Sequence, residues 1–499
     1  MLEERKTMQT YKMFIDGKWE DAANGDTFET KNPFNGQAWA AIPKGGKQDA
    51  ERAVEAAHRA FTSGPWPKLT ASARGHLLRR LGDLIAENAE HLATIEVTDN
   101  GKLINEMLFQ LKYIPQWYYY FGGLADKIEG AVIPIDKADT FNFTRNEPLG
   151  VCVGITPWNS PLLLLAYKLA PALAAGNTFV AKPSEFTSAS TLEFAKLVEQ
   201  AGFPAGVFNV VTGFGADVGE TLTTHKYVAK IAFTGSEATG RKIGELAARN
   251  FKKVTLELGG KSPHVVFDDA EIDNAVNGVI SGIFAATGQT CIAGSRLLVQ
   301  RKIHDQFLEK IVNLAKTARM GDPLLTSTQV GPVTTPPQLE KILGYIDIAK
   351  GEGAECVLGG GRPDNPELSR GWFVEPTIFS GVRNDMRIAQ EEVFGPVLAV
   401  IPFDSDEEAV HIANDTNYGL AAGFWTQDMR RILKVSAAIQ AGTVWVNTYR
   451  VISYMSPLGG YKHSGIGREN GIASIQNYMQ TKSVMISTAE DVANPFIMR

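Results

Sequence analysis

A chain of 499 residues is too long for one hydrophobic core, and 44% hydrophobic with 21% charged residues is the composition of a soluble multidomain protein. A formal charge of −6, from 49 basic and 55 acidic residues with no basic run, argues against a nucleic-acid partner. Cys152, Cys291 and Cys356 are too few and too scattered for a disulfide framework and point to a reducing compartment, the cytoplasm.

The opening residues, Met1-Leu2-Glu3-Glu4-Arg5-Lys6, have no apolar core of a signal peptide. Up to about residue 125 the pattern is a short strand pair followed by helices. The first, over 48–61, puts Ala53, Ala56, Ala57 and Ala60 on one face, and Leu77, Leu78, Leu81, Leu84 and Ile85 mark a second. The segments 130–135 and 141–144 read as two extended pieces around a polar turn, 136–139, forming an arm that leaves the domain body.

From Val151 an alternation begins: strand 151–155, helix 161–175, strand 178–181, helix 188–201, strand 207–211, strand 228–233, helix 237–249, strand 254–258. The greasiest run, 160–176, contains Lys168 and Pro171 and is not a membrane span. Apolar strands alternating with helices mean a parallel, doubly wound α/β sheet. A second set follows, with strands at 264–267, 297–300, 397–402, 421–425 and 443–446, a helix over 305–319, and a glycine-rich loop over 359–371. The pattern 280–286 is helical, and a last strand-like piece, 483–486, closes the chain. The fold class is therefore α/β with two lobes that meet near Gly259-Gly260, and a lobe boundary is where a ligand is expected. The eight histidines form no ligand-spaced pair, so no metal site is expected.

The residue types that carry chemistry gather on either side of that boundary. Cys291, in Gly288-Gln289-Thr290-Cys291, reads either as a small buried hydrophobe or as a nucleophile. Gly288 and Gly294 favour the second, because glycine lets backbone approach a ligand, and loop N–H groups would stabilise a thiolate. Glu257 is the polar residue of an otherwise apolar strand, Val254-Thr255-Leu256-Glu257-Leu258. A carboxylate there would face solvent in a half-exposed strand; at the end of a central strand its pKa would rise, which suits a general base. The run from Gly213 to Gly219 is GxGxxxG, one residue longer than a dinucleotide fingerprint, whereas Gly235-Ser236 ends a strand and opens a helix that could hold a pyrophosphate. Either glycine turn could equally be an ordinary strand-to-helix connection. Asn159, before Ser160-Pro161, is either a helix cap or an amide donor to an oxyanion.

Taken together these segments resemble the aldehyde dehydrogenase superfamily, from about residue 12 to about 487. Leu256-Glu257-Leu258-Gly259-Gly260-Lys261-Ser262-Pro263 resembles its glutamate motif, and Phe284-Ala285-Ala286-Thr287-Gly288-Gln289-Thr290-Cys291-Ile292-Ala293-Gly294-Ser295 its cysteine motif. The resemblance implies Cys291 as nucleophile, Glu257 as the base that activates the deacylating water, and Asn159 with the Cys291 N–H as oxyanion hole. It implies Lys168 and Glu469 as a proton relay. It implies a Rossmann-like NAD-binding domain over 1–125 and 148–258, a catalytic domain over 259–463, and a small β oligomerisation arm from 126–147 and 464–499, hence a homodimer or homotetramer.

For the cofactor, Lys182 and Glu185 match the pair that holds the adenosine ribose, Gly235 and Ser236 the phosphate turn, and Glu392 and Phe394 the nicotinamide contacts. Ile155, Thr156, Pro157, Trp158, Gly215 and Phe233 complete the cofactor set. A carboxylate such as Glu185 beside the ribose 2′-position favours NAD, with NADP as the alternative carrier. For the substrate, the resemblance implies a tunnel lined by Ser160, Leu164, Tyr167, Thr290, Ile292, Ile452 and Leu458, with Arg450 near its mouth. The arginine suits a polar or semialdehyde-acid substrate, or is simply a surface residue. The activity implied is oxidation of an aldehyde to a carboxylic acid through a thiohemiacetal and a thioester. The alternatives are a non-catalytic structural relative and a CoA-acylating dehydrogenase, a branch that typically lacks the glutamate.

Overall fold

Strands that are apolar on both faces are stable in the middle of a sheet covered by helices, and the computed structural model places them there. It describes residues 8–491 and 494–497, so the opening residues read for a signal peptide lie outside the described residues. The first sheet has eight strands in the spatial order Gly465–Ile466, Lys253–Glu257, Val228–Thr234, Val151–Ile155, Thr178–Lys182, Phe208–Val210, Met13–Ile15, Lys18–Glu20. The five between Lys253–Glu257 and Phe208–Val210 are parallel, and antiparallel strands close both edges. The chain starts in the middle at Val151–Ile155, winds outward to Phe208–Val210, then crosses back to Val228–Thr234 on the other side. The strand order thus reverses between Val151–Ile155 and Val228–Thr234, where a doubly wound sheet opens a crevice at its carboxyl edge.

The second sheet orders its seven strands Glu355–Leu358, Thr377–Ser380, Val397–Phe403, Arg296–Gln300, Pro263–Val266, Ala421–Trp425, Thr443–Val446, all parallel except the first. Only the turn 258–262 separates Lys253–Glu257 from Pro263–Val266, so the carboxyl edge of one sheet faces the amino edge of the other. A third sheet joins Val132–Ile133, Thr140–Pro148 and Met479–Ser487, the last two paired over nine residues. Two residues of the segment that supplies that last strand, Gly465–Ile466, belong instead to the first sheet.

The parallel α/β organisation read from the sequence is the one observed, with several local corrections. The helix expected over 305–319 stops at Ala315. The helical pattern over 280–286 ends at Phe284, because Ala286 and Thr287 turn left-handed, at φ 52° and 54°. The arm strand expected over 130–135 contracts to Val132–Ile133, while its partner lengthens to Thr140–Pro148. The strands Glu355–Leu358 and Thr377–Ser380, on either side of the expected loop, were not foreseen. Among the described residues, no helix is long and apolar enough to cross a membrane, and no group of three or more His, Cys, Asp or Glu is placed to hold a metal ion.

Candidate active site

A cleft of about 450 Å³ opens at the reversal point of the first sheet. Its walls include Ile155, Thr156, Pro157 and Trp158 after one strand and Phe233, Gly235 and Ser236 after its neighbour. Lys182, Glu185 and Gly215 complete the expected residues on its lining. The Lys182 Nζ lies 3.6 Å from Glu185 Oε2 and donates to the Pro183 carbonyl at 3.0 Å. Burial holds the Lys182 ammonium below the usual lysine range, and Glu185 opposes that shift. Ser236 caps the helix Glu237–Ala248 by accepting from the Thr239 N–H, so the free N–H groups of that helix start face the cleft region.

Two expected cofactor residues, Glu392 and Phe394, do not line this cleft. They sit instead around a small cavity with Gly260, Gly288 and Thr290. The Trp158 ring meets Phe394 edge-on, centroids 5.2 Å apart, and this contact joins the two spaces. Glu392 accepts from the Gly260 N–H at 3.0 Å, and burial raises its pKa.

Cys291 lies in a loop held from several sides. Glu106 accepts from the Ala286 N–H at 2.8 Å, and the Gln289 side chain accepts from the Thr334 N–H at 2.9 Å. Two glycines permit the loop's path. Gly288 has φ +69°, and a Cβ on it would collide with the Gly395 carbonyl; a Cβ on Gly260 would stand 2.6 Å from the Cys291 carbonyl oxygen. Tyr449, which the sequence reading missed, donates its hydroxyl to the Ile292 carbonyl at 3.0 Å and stacks on His264 at 4.3 Å. His264 in turn accepts from Trp425 Nε1 at 2.7 Å.

Burial pushes the Cys291 thiol up to about 12, with the Glu392 and Glu257 carboxylates raising it further and Lys102 opposing them. Glu257 ends its strand buried, and burial lifts its carboxyl well above the usual carboxylate range, with Glu469 adding to the rise and Lys168 and Arg468 opposing it. Its Oε1 has no hydrogen-bond partner among the described residues. Lys168 Nζ donates to Glu469 Oε1 at 2.5 Å and to Thr234 Oγ1 at 2.6 Å, so the expected relay pair is assembled in a fully buried position.

Asn159 is not the helix cap; that position belongs to Ser160. Its amide Nδ2 donates to the Gln289 carbonyl at 2.9 Å, reaching from the first lobe to the cysteine loop. Ser160, Leu164 and Tyr167 follow one face of the helix Pro161–Ala174. Leu164, Ile452 and Leu458 pack on the same apolar cluster as Tyr167, and Ile452 also meets the cluster of Ile292 and Cys291. Thr290 Oγ1 is buried without a partner. Arg450 donates to the Ser281 carbonyl at 3.2 Å from a left-handed residue.

Sequence reading also missed Lys102, whose ammonium donates to Ser160 Oγ at 2.6 Å, and Trp117, which stacks on Tyr167 at 5.1 Å. The aromatic run Trp117-Tyr118-Tyr119-Tyr120-Phe121 was a readable signal for the second. Nothing local marked the first.

The arrangement is a two-lobed α/β protein with a thiol and a carboxylate at the junction, beside a crevice of the kind that takes dinucleotides. Comparison with known proteins gives the class a name. The model of the aldehyde dehydrogenase family matches residues 19–484. A (Z)-2-((N-methylformamido)methylene)-5-hydroxybutyrolactone dehydrogenase of Acinetobacter baylyi is 46% identical over 99% of this chain and 100% of its own length. The betaine aldehyde dehydrogenase of Bacillus subtilis is 45% identical over 97% of this chain and 99% of its own. The Staphylococcus aureus betaine aldehyde dehydrogenase, solved in complex with NAD+, superposes with a TM-score of 0.96 at 41% identity, covering 97% of this chain and 96% of that one. The chain belongs to the aldehyde dehydrogenase family.

Proposed function

We propose that this protein oxidises an aldehyde to a carboxylic acid with NAD, through a covalent adduct on Cys291. One observation carries the reading: half-buried Cys291 and buried Glu257 meet at one lobe junction, where Gly260, three residues after Glu257, passes so close to Cys291 that a Cβ on it would stand 2.6 Å from the Cys291 carbonyl oxygen. As the sulfur bonds to the carbonyl carbon, Glu257 takes the thiol proton. The developing alkoxide is held by the free N–H of the Asn159 amide and by the Cys291 N–H. When bound, NAD supplies the hydride acceptor that turns the adduct on Cys291 into a thioester. Glu257 then takes a proton from water as its oxygen bonds to the thioester carbon, and the sulfur leaves as thiol while the acid departs. Lys168 and Glu469 carry the base's proton away.

The residues of the cleft suit the cofactor. Lys182 and Glu185 would hold its adenosine ribose, the helix start at Gly235-Ser236 its pyrophosphate, and Glu392 and Phe394 its nicotinamide end. Two relatives solved as NAD+ complexes support the choice of NAD. On this reading 1–125 with 148–258 is the NAD-binding unit and 259–463 the catalytic unit. The segments 126–147 and 464–499 form a homodimer- or homotetramer-forming arm, whose exposed Val132, Phe141 and Met485 support that role. Three free cysteines fit a reducing cytoplasmic setting.

The substrate is a polar aldehyde, and a semialdehyde acid fits best. The Acinetobacter relative is named for a 5-hydroxybutyrolactone. In general chemistry that ring is the closed form of an aldehyde bearing a carboxylic acid.

The test is a pair of variants with an aldehyde panel and NAD. Cys291→Ala abolishes turnover while NAD still binds. Glu257→Gln gives a burst of NADH followed by slow steady-state turnover. Full steady-state activity in either variant overturns the assignment.

A further inference from the structure

A buried ammonium has three N–H donors to satisfy, and it ordinarily spends them on carboxylates or carbonyls. Lys168 does so, with Glu469 and Thr234. Lys102 does not. It is 4% exposed, and among the described residues its one hydrogen bond goes to a neutral hydroxyl, Ser160 Oγ, at 2.6 Å. It forms no ion pair there. The two carboxylates whose charge reaches it, Glu106 and Glu96, are held elsewhere: Glu106 Oε1 by the Ala286 N–H, and Glu96 Oε1 by the Leu162 N–H at 3.0 Å. The Arg450 guanidinium adds a second positive charge to the same neighbourhood. Burial accordingly holds the ammonium down to about 8.

The location is as specific as the charge. Ser160 is the N-cap of the fourteen-residue helix Pro161–Ala174, so the positive end of that helix lies at the residue that holds Lys102. It is also the chain neighbour of Asn159, and the charge of Lys102 is felt at Cys291. Two donor groups of a buried cation, a hydroxyl and a helix start thus converge within reach of the reacting thiol.

We propose that Lys102, held by Ser160 and aided by Arg450, binds a carboxylate on the aldehyde substrate and sets specificity for short semialdehyde acids. This rests on the aldehyde-oxidising reading above. Ser160, which holds Lys102, follows Asn159 directly in the chain, so a short semialdehyde acid is the substrate class to test. The carboxylate accepts from the ammonium N–H groups that the protein leaves open and pairs with their charge directly.

The experiment compares kcat/KM for 4-oxobutanoate and for butanal, with NAD. The wild-type enzyme prefers 4-oxobutanoate, and succinate competes with butanal. In Lys102→Met the preference falls about 30- to 100-fold, mostly through KM, as expected for a charge-assisted hydrogen bond. Lys102→Arg keeps most of it, and Arg450→Met loses a smaller part. Thermal melting checks that each variant folds, and Lys102→Gln replaces Lys102→Met if that variant does not. If the wild type oxidises neither aldehyde, the enzyme reading itself fails. If it oxidises butanal but shows no preference for 4-oxobutanoate, or succinate does not compete, or the ratio in Lys102→Met stays within threefold, the assignment of Lys102 alone is overturned.

Discussion

Asn159 donates its side-chain amide to the Gln289 carbonyl at 2.9 Å and so ties the start of a first-lobe helix to the loop bearing Cys291. The bond orients the amide and uses one of its two N–H groups, and on the proposed reading the second serves the reacting oxygen. Replacing Asn159 by Ala removes that donor and slackens the loop. The expected result is a fall in kcat of about 10²- to 10³-fold, the range for loss of one oxyanion donor. Steady-state kinetics measure it, and titration with NADH checks that cofactor affinity stays within a few-fold.

The Lys168–Glu469 pair is buried, with the lysine inaccessible and the glutamate 3% exposed. Removing one partner strands the other's charge. Lys168→Met should therefore destabilise the protein by about 3–5 kcal/mol, whereas the double variant Lys168→Met/Glu469→Leu should recover much of that loss. Urea unfolding of the single and double variants decides the point. Equal losses in all of them would show that the two groups do not act as a pair.

Glu185 lines the cofactor cleft 3.6 Å from Lys182. A carboxylate there repels a 2′-phosphate. Glu185→Gln should move the NAD-to-NADP ratio of kcat/KM toward NADP by about tenfold, equivalent to about 1.4 kcal/mol. An unchanged ratio would remove Glu185 from cofactor choice.

His264 is fully buried between Trp425 and Tyr449, and burial pushes its imidazole from 6.5 down to about 3. The bond from Trp425 Nε1 fixes the neutral form with its proton on Nδ1. Between those two values the unfolded chain binds a proton that the folded chain does not. Stability therefore falls as pH drops from 6.5 toward 3, by about 1.4 kcal/mol per pH unit, and the group contributes no slope at higher pH. Denaturant melts across pH 4 to 8 should show a shallower acid slope in His264→Gln. The same variant loosens Tyr449 and hence its bond to the Ile292 carbonyl beside the thiol.

The central strands were legible because an apolar run such as Val151-Cys152-Val153 can be stable in few places, and the observed ends fall within a residue or so of those expected. Gly465–Ile466 could not be read, since a two-residue strand has no periodicity and exists only through its partner Leu256-Glu257. The turn at Ala286 and Thr287 was hidden for another reason. Both are good neighbours of a helix, and the left-handed backbone is imposed by Glu106 and by the close approach of Gly395 to Gly288. Cys291 and Glu257 were legible as candidates from their residue types, but the direction of the thiol's shift was not, because it depends on how completely the folded lobes exclude water. Lys102 carried no signal, for a lysine after a glycine is normally solvated and only the fold buries it.

The strand that bears Glu257 is closed on its outer side by Gly465–Ile466, and Glu469 follows only a few residues later. During synthesis, residues 13–257 leave the ribosome well before these do. The nascent first lobe therefore carries an open sheet edge until the chain is almost finished. Cys291 is made while Glu257 still lacks part of its buried surroundings. A chain cut short before residue 465 would thus leave this sheet edge open and Glu257 without Glu469, so this late strand finishes the surroundings of a residue made more than 200 positions earlier.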